Sequence, residues 1–306
     1  MAKTKIAVFG GDSRQTYAAQ ALMRVGYPLV LCGTPRVRGV CCFVDKAPSI
    51  ESAMSGADIA LFPTPFLREE REVNRQMLDV KMGLEDLYRE MPAGKTIFAG
   101  GINRHVRARL ESNNCTVIDL LQDERFARQN AELSAEGAIT DAILQGKAAI
   151  SGTKCLVLGY GRCGRAIAGK LKALGARVAV AARRQESRDA AAADGLTALS
   201  LEAMNAYLVG SQYIFNTIPS MVLDESRLRI CNREASILDV ASKPGGVDFT
   251  KAQEFRIQAK LCQSLPGVFV PKTAGQLIGD TVNRLLILRQ REQITAERTA
   301  RELQEV

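Results

Sequence analysis

A chain of 306 residues, 46% hydrophobic and 24% charged, has the composition of a globular protein too long for one hydrophobic core, so two domains are expected. There is no basic-then-apolar leader and no apolar run long enough to span a bilayer, which predicts a cytoplasmic protein with no membrane partner. One histidine, His105, and eight cysteines without a CxxC pair argue against a metal site or a Ser-His-Asp arrangement. The net charge of +8 is dispersed along a chain without tryptophan, which points to anionic small molecules rather than nucleic acid.

In chain order, Lys5 to Phe9 reads as a buried strand running into Gly10-Gly11-Asp12-Ser13-Arg14-Gln15 and a helix to about Arg24. This strand–glycine–helix opening lacks GxGxxG spacing, so it suits a substrate or a partner better than a second dinucleotide. Further strands are predicted at Leu29 to Cys32, Ile59 to Phe62, Thr96 to Ala99 and Thr116 to Leu120, making an open α/β sheet. Ligands sit at the carboxyl ends of such strands, so Gly11, Asp12, Thr64, Pro65, Gly101 and Asn103 are candidate substrate-loop residues. Arg14, Arg68 and Arg104 are near enough to reach a carboxylate, with a solvated helix surface as the alternative.

Asn130 to Gln145 reads as a connecting helix ended by Gly146, and the domain boundary is placed here. The first domain is residues 1–130 with 275–306, and the second is 131–274. Cys155 to Leu158 is then a strand, Gly159-Tyr160-Gly161-Arg162-Cys163-Gly164 a glycine turn, and Ile167, Leu171 and Leu174 mark a helix that Gly175 stops. A second strand, Arg177 to Ala182, completes a βαβ unit around GxGxxG, the dinucleotide fingerprint in its required context. Gly159 would make the tight turn, Gly161 admit a pyrophosphate and Gly164 let helix and strand pack closely. Tyr160, Arg162 and Cys163 complete the cofactor turn.

An NAD site carries an acid about 20 residues beyond the glycines. Here the position reads Ala182-Arg183-Arg184. Two guanidiniums suit the 2′-phosphate of NADP, with NAD and a merely solvated basic turn as alternatives. Tyr213 to Thr217, Ile237 to Val240 and Lys260 to Gln263 are predicted as the remaining strands. Their loops carry Thr217, Pro219 and Ser220, then Ser242 and Lys243, then Leu265 to Gly275 with Lys272, and all three are expected at the nicotinamide end of the cofactor. From Gln276 to about Glu305 the pattern is helical, apolar first and then charged, and predicts a return helix onto the first domain. The fold class is therefore α/β: two open parallel-sheet Rossmann-like domains, a cleft between them and a C-terminal return helix.

GGDSRQ (10–15), VLGYGRCGRAIA (157–168), NTIPSMVL (216–223), LDVASKPGGVDF (238–249) and LPGVFVPKTAGQ (265–276) resemble the A-subunit family of dipicolinate synthase over nearly the whole chain. The resemblance implies an enzyme of the sporulating mother-cell cytoplasm. It would work with a flavoprotein-like B subunit to oxidise a dihydrodipicolinate-type product of the lysine pathway to dipicolinate. It also implies a small dicarboxylate substrate and leaves a homo-oligomer open. A wider similarity, to the D-2-hydroxyacid dehydrogenases, includes their Pro-His-x-x-Gly stretch, but here Pro271-Lys272-Thr273-Ala274-Gly275 puts lysine at the histidine position. That departure disfavours hydroxyacid chemistry, which needs an imidazole. On this reading Lys272, Lys243 and Arg14 hold carboxylates. The alternatives are a stand-alone dehydrogenase of another anionic substrate and a non-catalytic scaffold for the B subunit.

Overall fold

The computed structural model of the protein describes residues 4–77 and 79–304. Two compact units divide it, Met1–Ala127 with Pro271–Val306, and Arg128–Val270. The first contains β1 (Ile6–Phe9), α1 (Ser13–Arg24), β2 (Leu29–Cys32), β3 (Asp45–Lys46), α2 (Ile50–Met54) and β4 (Ile59–Leu61). A short antiparallel hairpin of β5 (Leu67–Arg68) and β6 (Glu72–Val73) follows, then α3 (Leu84–Glu90), β7 (Thr96–Ala99), α4 (Arg104–Glu111) and β8 (Thr116–Asp119). Helix α5 (Glu124–Gln145) leads to the second unit: β9 (Lys154–Leu158), α6 (Arg162–Ala173), β10 (Arg177–Ala181), α7 (Gln185–Ala193), β11 (Thr197–Leu199), α8 (Asn205–Leu208) and β12 (Tyr213–Asn216). It continues with α9 (Glu225–Ile230), β13 (Ser236–Asp239), α10 (Phe249–Glu254), β14 (Gln258–Leu261) and α11 (Leu265–Phe269), and α12 (Pro271–Gln304) belongs to the first unit.

The central strands, such as β1, β2 and β4, are short, apolar and buried on both faces, the signature of a parallel sheet covered by crossover helices. Alternate residues divide between two cores. Ile6 and Val8 pack on the α1 side while Ala7 and Phe9 face the other, and Cys155 and Val157 are separated from Leu156 and Leu158 in the same way. The six-stranded parallel sheets run β3-β2-β1-β4-β7-β8 and β11-β10-β9-β12-β13-β14. With the hairpin set aside, both have the doubly wound 3-2-1-4-5-6 order, whose reversals fall between β1 and β4 and between β9 and β12.

Two differences from the sequence reading have physical causes. Residues 265–275 are not a loop: α11 covers Leu265–Phe269, and α12 starts at Pro271 rather than Gln276. The prolines and glycines that suggest irregular chain are compatible with helix here, because Pro266 and Pro271 occupy first-turn positions where a missing N–H costs nothing. Gly275 and Gly279 sit inside α12 because α1 crosses it closely. A Cβ on Gly275 would lie 2.4 Å from the Arg14 carbonyl oxygen, and one on Gly279 would lie 2.7 Å from Ala21 Cβ. The second difference is the pair β3 and β11, edge strands of two and three residues whose patterns are too short to read.

Ile278 and Val282 of α12 enter the core formed with Ala18, Ala19 and Leu22 of α1, as the return-helix expectation requires. Arg284 also donates to Asp123 at 2.7 Å, tying α12 to the start of α5.

Candidate functional site: the strand-end loops and a dinucleotide turn

The β9–α6 turn is shaped by its three glycines. Gly159 has φ +90°, open to glycine and strained for other residues, and a Cβ there would lie 2.4 Å from Thr217 Oγ1. Gly164 packs so tightly that its Cβ would lie 2.2 Å from the Gly159 carbonyl oxygen. Gly161 differs: a Cβ there would meet no protein atom within 4 Å. It is the N-cap of α6, provides no side-chain hydrogen bond, and the first turn holds no acid. Open space before an uncapped helix N-terminus is what a pyrophosphate requires, so these residues fit a dinucleotide.

The other turn residues divide by role. Tyr160 is buried, and its hydroxyl donates to Asp194 Oδ2 at 2.6 Å while the Arg165 guanidinium stands 5.1 Å over its ring. Burial first, and the Asp194 hydrogen bond second, push its phenol up to about 12. Tyr160 thus anchors the glycine turn to the end of α7. Cys163 is partly buried, and burial raises its thiol against the opposing charge of Arg162, so it stays protonated. Arg162 lies in the first turn of α6 and is exposed.

Arg183 and Arg184 follow β10, both exposed and, among the described residues, in no ion pair; Arg184 is the N-cap of α7 and supplies no side-chain cap. Across the strand-order reversal, Thr217 Oγ1 donates to the Leu158 carbonyl at 2.7 Å, closing the end of β12 onto β9. Pro219 and Ser220 are exposed on the same loop. A buried pair joins this loop to the next: Asn216 Nδ2 donates to Asp239 Oδ1 at 2.8 Å and to the Ile218 carbonyl at 3.0 Å. Asp239 also accepts from the backbone N–H of Ala241 at 3.2 Å and of Gly246 at 2.8 Å. The exposed Ser242 and Lys243 therefore sit on a loop fastened at both ends by one buried carboxylate.

In the first unit, Gly11, Thr64 and Gly101 lie at the carboxyl ends of β1, β4 and β7, neighbouring strands of one sheet. Asp12 caps α1, accepting from Arg14 N–H at 3.0 Å, and its carboxylate also takes Arg14 Nε and Nη2 at 2.8–3.1 Å. The N-terminus of α1 thus carries its own anion, whereas that of α6 is uncapped. Arg14 is buried, with its Nη1 outside the Asp12 pair. Thr64 is buried against Gly100, Pro65 is exposed, and Asn103 spends its side chain capping α4 through Val106 N–H at 2.9 Å. Arg68 and Arg104 are exposed. Lys272 is exposed in the first turn of α12 and so belongs to the first unit.

Sequence reasoning missed the buried polar residues that hold these loops. Gln15 donates to the carbonyls of Phe9 and Leu61 at 3.1 and 3.2 Å, bridging the ends of β1 and β4. Asp119 accepts from Gly101, Ile102 and Leu121 N–H at 2.9–3.0 Å. For the acids the available signal was a single carboxylate closing a short strand that carries no other charge, as in TVID (116–119) and SILD (236–239). Such an acid survives burial only when it is fully hydrogen-bonded.

Two Rossmann-type units, one of them carrying an intact dinucleotide turn, define a nicotinamide-dinucleotide-binding oxidoreductase, and residues 116–241 match the NAD binding domain of D-isomer specific 2-hydroxyacid dehydrogenases. Residues 5–121 match the N-terminal domain of the dipicolinate synthase A subunit. The dipicolinate synthase A subunit of Bacillus subtilis is 31% identical over 92% of this chain and 95% of its own length. The chain belongs to the A-subunit family of dipicolinate synthase. Solved structures agree: the dipicolinate synthase A subunit from Bacillus halodurans has a TM-score of 0.82 at 29% identity, covering 92% of this chain and 97% of that one. The Bacillus subtilis structure also gives 0.82, at 31% identity over 95% and 98%. No helix among the described residues is long and apolar enough to cross a membrane, and none of their His, Cys, Asp and Glu side chains cluster as a metal site.

Proposed function

We propose that this chain carries out the NADP-linked oxidation of a dihydrodipicolinate-type heterocycle to pyridine-2,6-dicarboxylate, together with a flavoprotein-like B subunit, in the cytoplasm of a sporulating mother cell. The observation that carries the reading is the family relationship, 31% identity along 92% of the chain, and the open space at Gly161 supports a bound dinucleotide.

When bound, the nicotinamide supplies the hydride acceptor for the ring. The chain's own residues bind and orient. The backbone N–H groups that open α6 receive the pyrophosphate in the space beside Gly161, while Gly159 makes the turn and Gly164 lets α6 pack on β9; Arg183 and Arg184 grip the 2′-phosphate, and Thr217, Pro219 and Ser220 wall the nicotinamide. Lys243, Lys272 and the remaining amino group of Arg14 hold the substrate's carboxylates. Lys272 stands where a hydroxyacid dehydrogenase has its imidazole, and here it clamps a carboxylate rather than abstracting a proton. Because aromatisation favours product, positioning is the chief catalytic contribution these residues make.

The test is to supply freshly generated lysine-pathway heterocycle and NADP to this chain by itself, to the B subunit on its own and to their mixture, following aromatic product and NADPH. Product that requires this chain and appears with NADPH is expected. Product from the B subunit on its own, at the rate of the mixture, would leave this chain as a scaffold.

A further inference from the structure

The turn between β10 and α7 contains a third guanidinium that the cofactor assignment does not use. Arg188, one turn into α7, reaches back beneath the turn. Its Nη1 donates to the carbonyls of Ala182 at 2.8 Å and Arg183 at 2.7 Å, and its Nη2 donates to Gln185 Oε1 at 2.5 Å. Gln185 is itself held, donating to Asp189 Oδ1 at 2.6 Å, and the Ala182 N–H donates to the Leu199 carbonyl at 3.0 Å on the neighbouring strand. The peptide planes on both sides of Arg183 are thus fixed. Their carbonyls are drawn toward Arg188, while the side chains of Arg183 and Arg184 stay exposed and outside any ion pair among the described residues.

We propose that Arg188 is a positioning residue for cofactor selection: by tying down the Ala182 and Arg183 carbonyls it shapes the turn on which Arg183 and Arg184 receive the 2′-phosphate. The inference rests on the NADP reading above. Its physical basis has two parts. A carbonyl oxygen facing an arriving phosphate repels it, and Arg188 engages the two carbonyls that would otherwise be free to do so. A turn held before binding also loses less conformational freedom when its arginines close on the phosphate, so more of their charge-assisted hydrogen bonding appears as affinity. NAD, which lacks the 2′-phosphate, gains from neither effect. The role is therefore visible as a ratio between two cofactors and not as a general loss of binding.

The experiment titrates NADP and NAD separately into the wild-type chain, Arg188→Leu and Arg188→Lys, with a thermal melt of each. Wild type is expected to prefer NADP. Arg188→Leu should lose on the order of tenfold in NADP affinity while NAD affinity stays within about twofold. Arg188→Lys should fall between, because one ammonium restores charge but cannot span two carbonyls and Gln185 in a planar fork. An unchanged NADP-to-NAD ratio in Arg188→Leu overturns the proposal, and so does an equal loss for both cofactors, which would mark a purely structural brace. If Arg188→Leu does not fold, the ratio in Arg188→Lys decides: a severalfold drop supports the role and an unchanged ratio rejects it. Absence of NADP preference in the wild type would instead reject the NADP assignment of Arg183 and Arg184.

Discussion

Three glycines within six residues do three different jobs, and their surroundings tell them apart. Gly161 adopts an extended backbone that any residue can take, and a Cβ there would meet no protein atom within 4 Å. Gly164 has no such latitude, since its Cβ would lie 2.2 Å from a backbone oxygen that cannot move without breaking the turn. Gly161→Val should therefore leave the melting temperature within about 2 °C of wild type and abolish dinucleotide binding. Gly164→Val should cost about 3 kcal/mol or more, lowering the melting temperature by roughly 6 °C or more. Cofactor titration beside thermal melts of both variants checks this. A Gly161→Val chain that still bound NADP would show that the open space serves something other than the pyrophosphate.

At the scale of elements, the close crossing of α1 and α12 matters because α1 starts at the substrate-loop candidates. Gly275 and Gly279 lie four residues apart on one face of α12, and both face α1 at distances no side chain could tolerate. Gly279→Leu would drive a branched side chain into Ala18 and Ala21, separating the helices and displacing the Asp12–Arg14 pair at the head of α1. The expected loss is about 3 kcal/mol or more, read as a lower midpoint in urea unfolding. A midpoint unchanged from wild type would mean the two helices do not need this spacing.

For the whole molecule, the buried thiols and phenol set an alkaline limit. Burial pushes Cys32, Cys155 and Cys262 up to about 12 and Cys231 up to about 11, against 9.0 for a free thiol. Tyr160 rises to about 12 from 10.0. Each is raised in the folded state, so the stability linked to it is complete below the unfolded value and is lost as pH climbs toward the folded one. Melting temperature should accordingly fall progressively from about pH 9 upward. Melts at constant ionic strength from pH 7 to 11 test this, and a flat profile through pH 11 would show that these groups ionise without unfolding the chain.

Much of this protein was determined by local sequence. Strand–glycine–helix spacing identified the βαβ unit at 154–182, because GxGxxG needs only neighbours in sequence to make its turn. The paired arginines, the five family motifs and the apolar half of the return helix were likewise legible without coordinates, each being a contiguous pattern. Tertiary structure alone decided that Leu265–Phe269 and the stretch from Pro271 to Gly275 are helical, because only the approach of α1 makes Gly275 sensible inside a helix. It alone revealed Gln15, Asp119, Asn216 and Asp239 as the residues that hold the loops. Asn216 and Asp239 pair with each other across 23 residues of sequence and Gln15 reaches a backbone carbonyl 46 residues away, and a buried polar side chain is explained only by the donors and acceptors that the fold brings to it.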